Sequence, residues 1–113
     1  MLYIQNQWSG GKDKLFKSMN PLTGEIVWEG NFANASQLNA AMHAAHKSHD
    51  GWSTESIQAR IKIIRKFYAL LEKNKLPMTK LISTETGKTH ADAASEVAAT
   101  LAKLNNSILA YKK

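Results

Sequence analysis

A chain must bury the apolar surface it creates, and one stretch of this sequence creates a great deal. In residues 56–73 (SIQARIKIIRKFYALLEK), Ile57, Ile61, Ile64, Tyr68 and Leu71 recur at steps of four, three, four and three. Side chains three and four apart share one face of an α-helix, so these five draw a single apolar stripe. Ile63, Phe67 and Leu70 widen it, while Arg60, Lys62, Arg65 and Lys66 fall mostly off it. Ser56 can cap the start of the helix. A helix striped in this way has to pack against other elements, and it is expected to be the best buried in the chain.

The other elements read around it. Leu2-Tyr3-Ile4 is a short β-prone run, Asn6-Gln7 can turn it, and Trp8 begins the return strand. Ser9-Gly10-Gly11-Lys12 reads as a flexible loop. Asn20-Pro21-Leu22-Thr23-Gly24 is a turn, since proline presets φ and Gly24 accepts a positive one. Glu25-Ile26-Val27-Trp28-Glu29 follows as a strand, so residues 1–30 read as a β-hairpin or meander. At Asn34 the period changes. Asn34 with Gln37 forms a capping box, and Leu38, Ala41, Met42 and Ala45 follow at helical spacing. Asp50-Gly51 is expected to end this first helix, with Trp52 opening the next connection. After the striped helix, Pro77 fits the first turn of a third, whose apolar side is Met78, Leu81 and Ile82. Gly87 fits the left-handed position at its end, with Lys88 placed to meet the exposed carbonyls. Thr89 with Asp92 then caps a fourth helix striped by Val97, Leu101, Leu104, Ile108 and Tyr111. Residues 34–113 therefore read as about four helices.

Residues 82–91, ISTETGKTHA, pose a chemical question, because Gly87-Lys88-Thr89 looks like the tail of a phosphate-binding loop. Such a loop needs a glycine five positions earlier, where Ile82 stands, and it must follow a strand rather than a helix. The motif fails on both counts. The remaining candidates for chemistry are weak. His43, His46 and His49 lie three apart, which spreads the first and last about 240° around a helix axis, too far to face one metal. Glu85 and Glu96 have no nucleophile or second carboxylate at a defined spacing, so they read as helix-face carboxylates. Tyr3, Trp8 and Trp28 can stack on bases but are expected in the core.

Composition sets outer limits. The chain has 113 residues, 43% hydrophobic and 21% charged, enough for one small globular domain. It has no cysteine, which excludes disulfides, thiolate metal sites and a cysteine nucleophile within these residues. No apolar run approaches the ~20 residues needed to cross a bilayer, and the first residues lack the order of a secretory signal. A cytoplasmic chain with no membrane partner is the expectation. The net charge is +6, with the basic residues scattered. Scatter argues against nucleic acid as a partner, while Lys62, Arg65, Lys66, Lys112 and Lys113 keep a small basic nucleic-acid-binding or protein-interaction module open as the alternative.

Two stretches stand out together: Asn20-Pro21-Leu22-Thr23-Gly24-Glu25-Ile26, and Glu85-Thr86-Gly87-Lys88 followed by Ala91-Asp92-Ala93-Ala94-Ser95-Glu96-Val97. In this order and separation, with the aromatic turn of residues 3–8, the alanine-rich helix before Trp52 and the Arg60 helix, they resemble the opening segment of the aldehyde dehydrogenase superfamily. The run Lys103-Leu104-Asn105-Asn106-Ser107-Ile108-Leu109-Ala110-Tyr111, with Val27-Trp28-Glu29-Gly30, is similar to the branch that acts in arginine breakdown. Two departures are visible. Asn6-Gln7 stands where the family's first turn has Asn-Gly, and Thr89 stands where proline follows Gly-Lys.

The resemblance implies an α/β fold, of which residues 1–113 would be the N-terminal, incomplete part of the NAD(P)-binding domain. It implies NAD(P)-dependent oxidation of an aldehyde to an acid, with NAD as cofactor. The family's nucleophilic cysteine, general-base glutamate, oxyanion-hole asparagine and cofactor loop lie downstream of this segment. No catalytic, cofactor or metal position is therefore carried over, and the chain is expected to be inactive alone. Asn106, Ser107 and Ala110 are expected to line the substrate entrance. The apolar helix faces should be covered by the rest of the enzyme or by self-association.

Overall fold

The computed structural model describes residues 1–111, which fall into two compact units. The first unit holds Met1–Met19 and Glu25–Glu55, and the second holds Asn20–Gly24 with the chain from Ser56.

In the first unit β1 (Leu2–Ile4) pairs antiparallel with β2 (Gln7–Ser9), and β3 (Leu15–Met19) with β4 (Ile26–Asn31). The two pairs form separate two-stranded sheets, so the β region is a succession of hairpins. Tyr3 stands opposite Trp8 with ring centroids 4.8 Å apart, and Phe16 meets both Trp28 and Phe32. Tyr3, Trp8 and Trp28 are expected in a core, yet Tyr3 is 56% exposed, Trp8 67% and Trp28 42%. A two-stranded ribbon is too narrow to enclose a ring, so the aromatics shield one another across it.

The first turn lies one residue earlier than Asn6-Gln7. Ile4 pairs with Gln7, leaving Gln5 and Asn6 as the loop with φ of 53° and 61°. Both are left-handed, the geometry that matches the twist of the flanking strands. Asn6 tolerates this conformation, whereas Gln5 takes it with no such preference. Gln5→Asn should therefore strengthen the hairpin by about 0.5 kcal/mol, and the β-branched Gln5→Val should weaken it by roughly 1–2 kcal/mol. Amide exchange across β1 and β2 reads both, and equal protection in the two variants would refute the assignment.

α1 (Ala35–Thr54) starts at the expected capping box. The Gln37 N–H donates to Asn34 Oδ1 at 3.0 Å, and Gln37 Oε1 accepts from the Asn34 N–H at 3.2 Å. The same amide also accepts from the Lys12 N–H and donates to the Gly10 carbonyl, which fastens the loop expected to be flexible. The helix runs through Asp50-Gly51 and Trp52 to Thr54, past the expected stop. One glycine costs a helix only about 1 kcal/mol, and the Ser53 and Thr54 hydroxyls both donate back to the Asp50 carbonyl. The helix ends instead where Glu55 and Ser56 turn extended.

The second unit contains α2 (Ile57–Lys73), α3 (Lys75–Thr86) and α4 (His90–Tyr111), with Ser56 capping α2 through the Ala59 N–H and Pro77 in the first turn of α3. α3 packs along α4, and α2 packs on both. The buried residues are Thr79 on α3 and Ala93, Val97 and Leu101 on α4. α2 has none, against the expectation that it would be the best buried. Its primary stripe is half-buried, while Ile63 and Phe67 remain 52% exposed and Leu70 60%. The stripe is broader than the strip of α3 and α4 that meets it, so its outer edge has nothing to pack on.

Candidate functional site

The two stretches singled out by resemblance meet in the second unit. Asn20 folds the first of them: its Oδ1 accepts from the Leu22 N–H at 2.9 Å, and its carbonyl accepts from the Gly24 N–H at 2.8 Å. Pro21 then lies against the joint between α3 and α4. A Cβ on Gly87 would stand 2.8 Å from Pro21 Cγ and 3.9 Å from Leu22 Cγ. Gly87 is left-handed, at φ 74° and ψ 7°, and its N–H donates to the Ser83 carbonyl. Two demands thus converge on this residue, a positive φ and no side chain.

The rest of the joint closes on itself. The Ser83 hydroxyl donates to the Lys88 carbonyl at 2.8 Å. The Lys88 ammonium pairs with Glu96 instead of facing the end of α3, because a full carboxylate charge outcompetes the partial charge of a helix terminus. Thr89 Oγ1 accepts from the Asp92 N–H at 3.1 Å and donates to Asp92 Oδ2 at 2.8 Å. With the glycine packed, the lysine paired and the threonine capping a helix, Gly87-Lys88-Thr89 does not fit a nucleotide phosphate. No cofactor contact is assigned to it.

One open apolar surface of this unit lies between α2 and α4. A trough of about 400 Å³ is walled by Ile57, Ile61, Ile64, Phe67, Leu104 and Ile108, with Ser107 and Tyr111 at its α4 side. Of the three residues expected to line a substrate entrance, Ser107 faces this trough. Asn106 and Ala110 are exposed on the same helix without lining it. Across Ile57 and Ile61 a second recess of about 650 Å³ is flanked by Lys62, Arg65 and Lys66. Lys112 and Lys113, the other cations of the basic set, lie outside the described residues. Arg60 Nε is buried without a hydrogen-bond partner among the described residues. His43, His46 and His49 are exposed on α1, and no group of three or more His, Cys, Asp or Glu among the described residues converges to hold a metal.

A sequence model of the aldehyde dehydrogenase family matches residues 8–112. The chain belongs to the aldehyde dehydrogenase family. Among relatives, it is 42% identical to N-succinylglutamate 5-semialdehyde dehydrogenase of Salmonella schwarzengrund (strain CVM19633), over 97% of this chain and 22% of that protein. It is 41% identical to the protein of the same name from Salmonella heidelberg (strain SL476), with the same coverage. The aldehyde dehydrogenase fold is equally plain. An NAD-dependent benzaldehyde dehydrogenase from Corynebacterium glutamicum superposes with a TM-score of 0.88 at 24% identity, over 94% of this chain and 23% of that one. Succinate-semialdehyde dehydrogenase from Burkholderia pseudomallei gives 0.78 at 29% identity, over 85% and 20%. The hairpins and four helices thus match part of a dehydrogenase α/β fold, and the chain spans 22% of the length of the curated relatives it matches. The Pro21–Gly87 contact is the feature that spacing alone did not reveal, since no local pattern links a turn to a helix end so distant in the chain.

Proposed function

We propose that residues 1–113 form the N-terminal segment, and an incomplete part of the cofactor-binding domain, of a cytoplasmic NAD(P)-dependent aldehyde dehydrogenase. The complete enzyme oxidises N-succinylglutamate 5-semialdehyde to N-succinylglutamate, with NAD as hydride acceptor. The observation that carries this reading is the 42% identity to a protein of that name along 97% of the chain. In the reaction the aldehyde carbon gives up a hydride to the cofactor and takes an oxygen from water. This chain, which has no cysteine, supplies no thiolate for it. Its contribution is the Pro21–Gly87 joint, which sets the direction of α4, and through α4 the placement of Asn106 and Ala110 at the substrate entrance, with Ser107 beside them at the edge of the covered trough. The apolar faces that α2 and α4 leave open are covered by the rest of the enzyme.

The test is a chimera in which residues 1–113 replace the matching stretch of the Salmonella schwarzengrund protein. We expect NADH formation from N-succinylglutamate 5-semialdehyde within about tenfold of the parent rate. The purified 113-residue chain should form none. Turnover by the chain alone, or a folded chimera devoid of activity, would overturn the proposal.

A further inference from the structure

The geometry points to an acidic amphipathic segment as the occupant of the trough between α2 and α4, its apolar side in the trough and its carboxylates along Lys62, Arg65 and Lys66. Two independent observations carry this. The first is the trough itself. Apart from Ser107 and the Tyr111 hydroxyl, its walls are hydrocarbon or aromatic, and Phe67 and Ile63 stay 52% exposed. A contiguous apolar surface of this kind marks an interaction site rather than a solvated face. The second is the charge beside it. Lys62, Arg65 and Lys66 stand at i, i+3 and i+4, where like charges on a helix repel. None of them forms an ion pair among the described residues, and no carboxylate lines their recess. Glu72 is the one acidic residue in the sequence of α2, near its far end.

An apolar trough with a cationic flank selects a partner that is apolar on one side and negative on the adjoining edge. A second copy of a chain with net charge +6 brings the wrong sign. Nucleic acid satisfies the cations but has nothing to place in the trough. That the segment comes from the remainder of a dehydrogenase rests on the function proposed above. The preference of the trough does not, and it is measured separately.

The purified 113-residue chain is titrated with two helical peptides of about 18 residues that share a leucine stripe, one carrying glutamates along its flank and the other lysines. The glutamate peptide should bind about tenfold more tightly at low salt, with the advantage shrinking as salt rises. The triple change Lys62→Glu, Arg65→Glu, Lys66→Glu, all at exposed positions, should reverse the preference. Ile63→Asp should abolish binding of both peptides while helix content by circular dichroism is unchanged. Equal affinity for the two peptides overturns the proposal. So does a single-stranded oligonucleotide that binds more tightly than the glutamate peptide, or a dimer of the chain alone that Ile63→Asp dissolves. Peptide binding as described beside an inactive chimera would refute the proposed function and leave the trough assignment standing.

Discussion

Gly87→Ala is expected to destabilise the second unit by roughly 2–4 kcal/mol, a large part of the stability of a domain this size. Two causes add. A left-handed backbone costs an L-residue about 1–2 kcal/mol, and φ at Gly87 is 74°. The new methyl would also lie 2.8 Å from Pro21 Cγ, so the turn has to move. The two causes can be separated. Pro21→Ala in the same chain should relieve the steric part and leave the backbone part, so the double variant should be less destabilised than the two single changes added together. Thr89→Ala offers a yardstick, since losing the cap should cost about 1 kcal/mol. Urea unfolding followed by circular dichroism measures all four. A loss below about 0.5 kcal/mol for Gly87→Ala would show that the joint is not built as described.

Val97→Asp should be the most damaging change, by about 3–5 kcal/mol, because it places an unpaired charge where the side chain is 1% exposed. The informative comparison is Ile63→Asp on α2. At 52% exposure in this chain it should cost less than about 1 kcal/mol, yet the more regular stripe belongs to α2. In a complete dehydrogenase, where the outer edge of α2 is expected to be covered, the same change should become severe. Thermal unfolding of both variants checks this, and equal losses in the isolated chain would mean that α2 is better packed than its exposure indicates.

These contrasts show which parts of the structure the residues disclose. The caps were legible at Asn34, Ser56 and Thr89, because a hydroxyl or amide meets an N–H only three residues away. Gly87 was legible for the same reason, since its positive φ is a local demand. The end of α1 was not, because Asp50-Gly51 is a weak signal that two hydroxyls and the following backbone override. Burial was legible as a face but not as a depth. Periodicity places Ile57, Ile61 and Ile64 on one side of α2, and only the neighbours decide how much of that side is covered. Of the candidate entrance residues, Ser107 reaches the trough because it lies one turn from Leu104 and beside Ile108. Asn106 and Ala110 share the helix but point past the trough. The partner of Lys88 was not legible, because Glu96 lies nearly two helical turns into the next element.

The second unit is discontinuous: a five-residue turn made early belongs with helices made late. On a ribosome the Asn20–Gly24 segment waits for roughly sixty further residues, several seconds at ordinary synthesis rates of about 5–20 residues per second, before Gly87 emerges to receive Pro21. During that interval Asn20 can hold the turn closed through its own backbone and side chain, whereas the ring of Pro21 has no seat. A change that slows or weakens the turn should therefore lower the yield of folded protein more than its equilibrium cost suggests.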